Sequence, residues 1–453
     1  MEETMSSRRR LITGGHILTM DPSRGDLARG DILVADGRIV DIAPKIAADD
    51  AECIDASNGI VIPGLIDTHR HTWQSALRHR LGDETFLGYG CAMLRDLAPL
   101  YTPDDIYIGT LLGALSALEA GTTTLLDWSH ALNTPAHADA AIAALREAGI
   151  RGIFAQGCPR GDGNNWTTNS TLPHPADLWR VRREVLYSDD ALVTHAMAAR
   201  GPEMTVAAVT RDDFKTAREL GLRLSMHAGV QQFASQFRAI ETMAADNLLG
   251  PDLTLIHVCA STALEMKLMA DHGVSASIGP QTEMMMDGAG VPALGRLLNA
   301  GIKPSLSGDT ETCATGDLFT QMRFALGVER MLTANRLLPE LGPPVTVRNM
   351  LEFATVAGAA ACGLETRVGS LTVGKDADLV VIRSTDLNLT PVTDPVGAVV
   401  LGAHPGNVDI VLVRGKPKKL QGRMVGLDLD RVRQKAAASR DRLLSAAPGH
   451  RHY

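Results

Sequence analysis

Five side chains of metal-binding type stand where apolar, strand-like runs end. His69 and His71 follow the run 60–68, His227 follows 222–226, His257 follows 253–256, and Asp309 closes 303–308. Neutral imidazoles and a carboxylate are the donors that a zinc- or iron-type ion takes, and a catalytic ion keeps one position open for water. Side chains two apart on a strand point the same way, so His69 and His71 can share an ion with Arg70 turned away. Taken singly, His227 and His257 would read as core histidines and Asp309 as a helix cap. Together and in order, each at a strand end, they read as one metal centre.

Such a centre needs a scaffold that brings strand ends from all along the chain to one place. From about residue 61 to 364, strand-like runs alternate with helical patterns. Counting the run before His69, the runs near 121–127, 152–156, 191–199, 222–227, 253–258, 274–279 and 303–309 make eight, which predicts an α/β fold: a (β/α)8 TIM-like barrel with the site at its carboxyl-end mouth. Residues 1–60 are short β runs, with Asp36-Gly37 between apolar segments as a hairpin signal. β character returns over 365–423. These two segments are expected to form one small β-sandwich domain beside the barrel (61–364), followed by a terminal helix and tail over 424–453.

Bulk properties agree. At 453 residues the chain exceeds the ~250–300 at which one core stops growing, so a second, smaller domain is expected. It is 45% hydrophobic and 21% charged, with a mean hydropathy of +0.02, as in globular proteins. A net charge of -8 and a pI near 6.0 argue against nucleic acid or an anionic membrane and for a small-molecule partner. Six scattered cysteines without a CxxC pair read as free thiols in a cytoplasmic protein. Arg8-Arg9-Arg10 leads into Gly14-Gly15-His16 rather than a signal peptide, and no apolar stretch approaches the ~20 residues that span a bilayer.

Pro63-Gly64-Leu65-Ile66-Asp67-Thr68-His69-Arg70-His71 resembles the first-strand motif of the amidohydrolase superfamily. Gly369-Ser370-Leu371-Thr372-Val373-Gly374-Lys375-Asp376-Ala377-Asp378-Leu379-Val380-Val381 resembles its closing segment, particularly in the cytosine-deaminase-like and triazine-hydrolase-like branch. The likeness runs from about residue 10 to 420. It implies one divalent metal, Zn2+ with Fe2+ as the alternative, bound by His69, His71, His227 and Asp309, with His257 near the activated water. The fourth-strand run 191–200 has no Lys, Glu or Cys to bridge a second ion. It also implies a deaminase-like hydrolase of C–N bonds in small nitrogen-containing rings, working as a homo-oligomer, a dimer or higher. The metal would make hydroxide available near pH ~7, Asp309 would take the water proton, and His257 would stabilise the charge that develops.

One departure bears on the chemistry. Deaminases of this branch carry a glutamate three residues after the fifth-strand histidine, and here that place is Val230. A valine cannot move a proton. Either Glu283, after the seventh strand, supplies it, with Glu311, His130 and His195 as further candidates, or the leaving group departs without one, as in a dehalogenase. The third possibility is non-hydrolytic chemistry of specialised metabolism on the same metal site; a non-catalytic relative is disfavoured because every ligand is kept. Trp73 and Gln74 are expected to face the barrel mouth, with His130, His195, Arg200 and Phe233 as further pocket groups and Met284, Met285 and Met286 as an apolar wall.

Overall fold

The computed structural model describes residues 9–230, 236–337 and 343–447. The chain opens with five strands, β1 (Arg10–Ile17), β2 (Leu27–Ala35), β3 (Arg38–Ala43), β4 (Glu52–Asp55) and β5 (Gly59–Pro63). Between β2 and β3, Asp36 and Gly37 have φ of 51° and 76°, the left-handed pair that a two-residue hairpin turn requires. β5 continues through Gly64 into the barrel. A Cβ at Gly64 would collide with Thr123, so the two sheets approach closely there.

The barrel strands are β6 (Leu65–Arg70), β7 (Thr122–Ser129), β8 (Arg151–Gln156), β9 (Val193–Ala199), β10 (Arg223–Ala228), β11 (Leu253–His257), β12 (Ser275–Ile278) and β13 (Ser305–Leu306). They pair in parallel in sequence order, as a (β/α)8 barrel demands. Alternation sorts their side chains. Ile66, Leu126, Trp128, Ile153, Ala155, Ala196, Ala198 and Ile256 share one interior cluster, whereas their neighbours Leu65, Leu125, Phe154, Met197 and Leu255 pack into the layer that includes the surrounding helices. Ala359, Cys362 and Leu364 join the interior cluster.

The cylinder closes at its mouth. Beyond β13, the Asp309 N–H donates to His69 O at 3.0 Å and the His71 N–H donates to Asp309 O at 2.8 Å, a parallel bridge between the ends of β13 and β6.

After the barrel the chain returns through β14 (Leu379–Arg383), β15 (Val408–Val413), β16 (Lys416–Leu420) and β17 (Arg423–Met424). These join the first five in a nine-stranded sheet ordered β17-β16-β15-β14-β5-β1-β2-β3, with β4 on β1. Its own core includes Ile12, Ile32, Ile39, Val61, Leu379 and Ile410. The Asp376-Ala377-Asp378 of the closing motif has a structural task. Arg151 on β8 is 2% exposed and donates to Asp378 at 2.9 and 3.0 Å and to Asp376 at 2.8 Å, tying barrel to sheet. The last helix, Leu429–Ala446, lies against the helix Pro103–Glu119, where Ser439 donates to Asp105 at 2.7 Å.

Candidate metal centre and cavity

Alternation alone does not aim all five ligand-type side chains. A register shift between Asp67 and Arg70 in the pairing with β7 marks a bulge, a device that redirects side chains beside sites. His69 ends up facing His71 and His227, with ring centroids 4.6 and 4.7 Å away. On β11, Ile256 already points inward, so the next residue would point out. A left-handed backbone at His257, φ 72°, turns its ring toward the others, and Asp309 has φ 53°. Such conformations are costly for residues with a Cβ and concentrate at functional sites.

The ligand atoms of His69, His71 and His227, and those of His69, His257 and Asp309, lie within 4.8 Å of one another. Asp309 Oδ1 is 3.2 Å from His69 Nε2 and 3.6 Å from His71 Nε2, and its Oδ2 is 4.0 Å from His257 Nε2. These residues fit a divalent ion on two observations. The fully buried His69 has no hydrogen-bond partner at Nδ1, and its Nε2 has only the Asp309 carboxylate, the proposed fellow ligand, beside it. His71 donates Nδ1–H to Trp128 O at 2.9 Å, which leaves the Nε2 lone pair for a metal. Burial lowers the pKa of His69, His71 and His227, His71 to about 3, so they stand neutral as ligands must.

His257 differs. Burial alone would lower its pKa, but the Glu283 carboxylate raises it, with Oε1 3.0 Å from His257 Nδ1. The same oxygen accepts from the Gly279 N–H at 2.8 Å, and Glu283 is 1% exposed.

Over the centre lies a cavity of about 600 Å³, within the ~300–1,000 Å³ of small-molecule pockets. Its wall includes Trp128, His130, Trp166, Arg160, Glu203 and Val230. The Arg160 guanidinium lies 3.7 Å from the Trp166 ring centroid, and its Nε is buried without a hydrogen-bond partner. Burial pulls its pKa to about 9.

Residues 60–418 match the Amidohydrolase family. The chain belongs to that family. A 5'-deoxyadenosine deaminase of Methanosarcina mazei is 26% identical over 450 residues, 96% of this chain and 98% of the relative. A 5-methylthioadenosine/S-adenosylhomocysteine deaminase of Desulforudis audaxviator is 27% identical over 454 residues, covering 97% and 100%. The fold matches that of a zinc-bound adenosine deaminase from Xanthomonas campestris, TM-score 0.84 at 22% identity over 96% of this chain and 98% of the other. It also matches a zinc-complexed atrazine chlorohydrolase from Arthrobacter aurescens, TM-score 0.83 at 22% identity over 95% and 100%.

In this amidohydrolase several expected pocket groups stand behind the wall instead of in it. The helical turn Thr72–Leu77 after His71 carries Trp73 and Gln74 into the core, both 0% exposed. Trp73 packs edge-on to Tyr101, and Gln74 donates to Tyr89 Oη at 2.7 Å and accepts from Thr310 at 2.6 Å. His195, on the strand face opposite the interior Ala196 and Ala198, stacks on Phe154 and meets Gln156 at 3.0 Å. Glu311 is held by Arg78 at 2.8 Å.

Arg200 reaches the wall, but its guanidinium is taken by Asp213 at 3.2 Å and by the carbonyls of Asn165 and Leu172. His130 lines the cavity. Of the three methionines only Met286 lines it, while Met284 and Met285 are largely exposed. Phe233 lies outside the described residues. Arg160, Trp166 and Glu203 were missed; each sits in the segment that follows a barrel strand, the place where this fold gathers functional groups.

Proposed function

We propose that this amidohydrolase replaces an amino group on a small nitrogen-containing ring by oxygen and releases ammonia, using one zinc ion held by His69, His71, His227 and Asp309. The observation that supports it most is the convergence of these four with His257 at the floor of an aromatic-walled cavity. When bound, zinc supplies Lewis acidity that brings the pKa of water toward ~7. Asp309 takes the proton of the attacking water and passes it to the departing amine. His257, braced by Glu283, hydrogen-bonds the oxygen on which charge grows. Trp128 and Trp166 offer faces to a flat ring, and Arg160 offers a cation to a carbonyl or acid group on it. A single ion, zinc rather than iron, a cytoplasmic location and a homo-oligomeric state belong to the same reading.

Val230 favours one second reading, in which the leaving group is a halide and needs no proton. The test is elemental analysis of the purified protein with an ammonia-release screen. Aminopurine nucleosides come first, because relatives are named for them, followed by aminopyrimidines and aminotriazines. About one zinc per chain with ammonia release is expected. Halide release from chlorinated rings without ammonia would move the assignment to the second reading, and a metal-free, inert protein would sink both.

A further inference from the structure

The fifth barrel strand ends at Ala228 and leads into Gly229-Val230, and Val230 lines the cavity at the position where the resemblance implies a proton-moving glutamate. A carboxylate nevertheless reaches this corner from the neighbouring strand. Beyond β9, the turn Arg200-Gly201-Pro202-Glu203 is pinned by its own backbone, with the N–H groups of Met204 and Thr205 donating to Gly201 O at 3.1 and 3.0 Å. The Arg200 contacts to Asp213, Asn165 and Leu172 hold its root. Glu203, 3% exposed, comes out of this turn with Oε1 accepting from the Gly229 N–H at 3.0 Å. That amide belongs to the residue before Val230. Gly229 is fit for the close approach: its φ is 69°, and a Cβ there would meet Ser261 Oγ at 2.5 Å and the Val258 backbone at 3.0 Å.

Glu203 shares the cavity wall with His227, His257 and Asp309, and among the described residues no lysine or arginine pairs with it. The ionisable groups that act on it are Glu265, which disfavours its charge, and His257, which favours it. Glu265 has Arg238 at 3.5 Å.

We infer that Glu203 is the proton-transferring carboxyl of this site, delivered through the turn after the fourth barrel strand to the place that Val230 has given up. The assignment rests on the proposed deaminase reading. As oxygen bonds to the amino-bearing carbon, the Glu203 carboxyl gives its proton to the adjacent ring nitrogen. Asp309 moves the first water proton to the amine, the C–N bond breaks and ammonia leaves. The remaining hydroxyl proton returns to Glu203, and the product keeps a ring N–H beside a new C=O. Burial, partly offset by the Gly229 hydrogen bond, pushes the Glu203 pKa up to about 7, which suits a group that must hold a proton at neutral pH and release it in the reaction.

The variant that isolates this role is Glu203→Gln, which keeps an acceptor for the Gly229 amide and loses the proton. Two readouts are paired: turnover on the amino substrate found in the screen, and the infrared carbonyl band of a protonated carboxyl in wild type minus variant, followed from pH 5 to 9. The expected result is a kcat loss of ~10²–10⁴-fold with metal content unchanged, and a band that fades as pH rises through about 7. Adding a glutamate in the V230E/E203Q double variant is expected to recover at least part of the rate. A variant within a few-fold of wild type, with the wild-type pH profile, would reduce Glu203 to a clamp on Gly229 and overturn the inference, as would absence of the band. A titrating band in a wild-type protein that deaminates nothing would instead fell the deaminase reading and leave the proton-holding carboxyl standing.

Discussion

Glu283 Oε1 stands 3.0 Å from His257 Nδ1, on the side of the ring away from Asp309. A carboxylate so placed fixes the tautomer and the angle of the imidazole, so that Nε2 faces the centre, and favours its protonated form. Glu283→Gln is therefore expected to cost ~10–100-fold in activity while the protein stays folded, because an amide oxygen can still accept from Gly279. Steady-state kinetics with a melting curve checks this. A loss as large as that expected for Glu203→Gln would show that Glu283 itself moves the proton.

The ligand cluster predicts dependence on the ion. Treatment with a chelator is expected to abolish turnover and lower the melting temperature, since an ion that binds only the folded chain stabilises it by mass action. Stoichiometric zinc should restore both. Asp309→Asn should fail to recover after the same addition, because the amide neither balances the ion's charge nor takes a proton.

The ion pairs of Arg151 join β8 to the β13–β6 barrel's companion sheet through Asp376 and Asp378. Asp378→Asn leaves Asp376 to answer Arg151, so the unfolding free energy read from a denaturant titration is expected to fall by about 1.5–3 kcal/mol, the range of hydrogen bonds to a charged group. A change below 1 kcal/mol, on the order of a surface pair, would mean that water reaches Arg151.

Glu203 ties function to stability in a pH-dependent way. Its folded pKa is raised from 4.5 to about 7, so the folded chain binds the proton more tightly than the unfolded one. The resulting stabilisation is complete below about pH 4.5 and is lost as pH rises to about 7. At ~1.4 kcal/mol per unit the whole span is about 3 kcal/mol. Glu203→Gln removes the titration, so relative to wild type the variant should gain stability between pH 5 and pH 8. Melting temperatures at the two pH values check the sign.

Much of the scaffold was legible because apolar strand-like runs and turn chemistry are local. The eight runs, the Asp36-Gly37 hairpin and the return of β character after the barrel all follow from neighbours in sequence. The ligand-type residues were legible too, since each ends a strand. What was not legible depends on departures from regular geometry. The bulge at Asp67–Arg70 and the left-handed backbone at His257 aim side chains that alternation would misplace. The helical turn after His71 buries Trp73 and Gln74, which a continuing strand would have left at the mouth. His195 was misread through strand parity, because Ala196 and Ala198 own the interior face. Glu203 was passed over because its significance lies in its distance to Gly229, twenty-six residues away, and no spacing rule reports that.

At its mouth the cylinder's last seam is closed by two backbone hydrogen bonds, and both involve residues that also present ligand atoms: Asp309 N–H to His69 O and His71 N–H to Asp309 O. β13 has only two residues and contributes little pairing of its own. An ion at the centre would thus act as a clasp on the staves of the barrel, drawing the first and last together from above. Emptying the site should loosen this seam before any other, so the amides of His71 and Asp309 would be the earliest in the barrel to exchange with solvent deuterium.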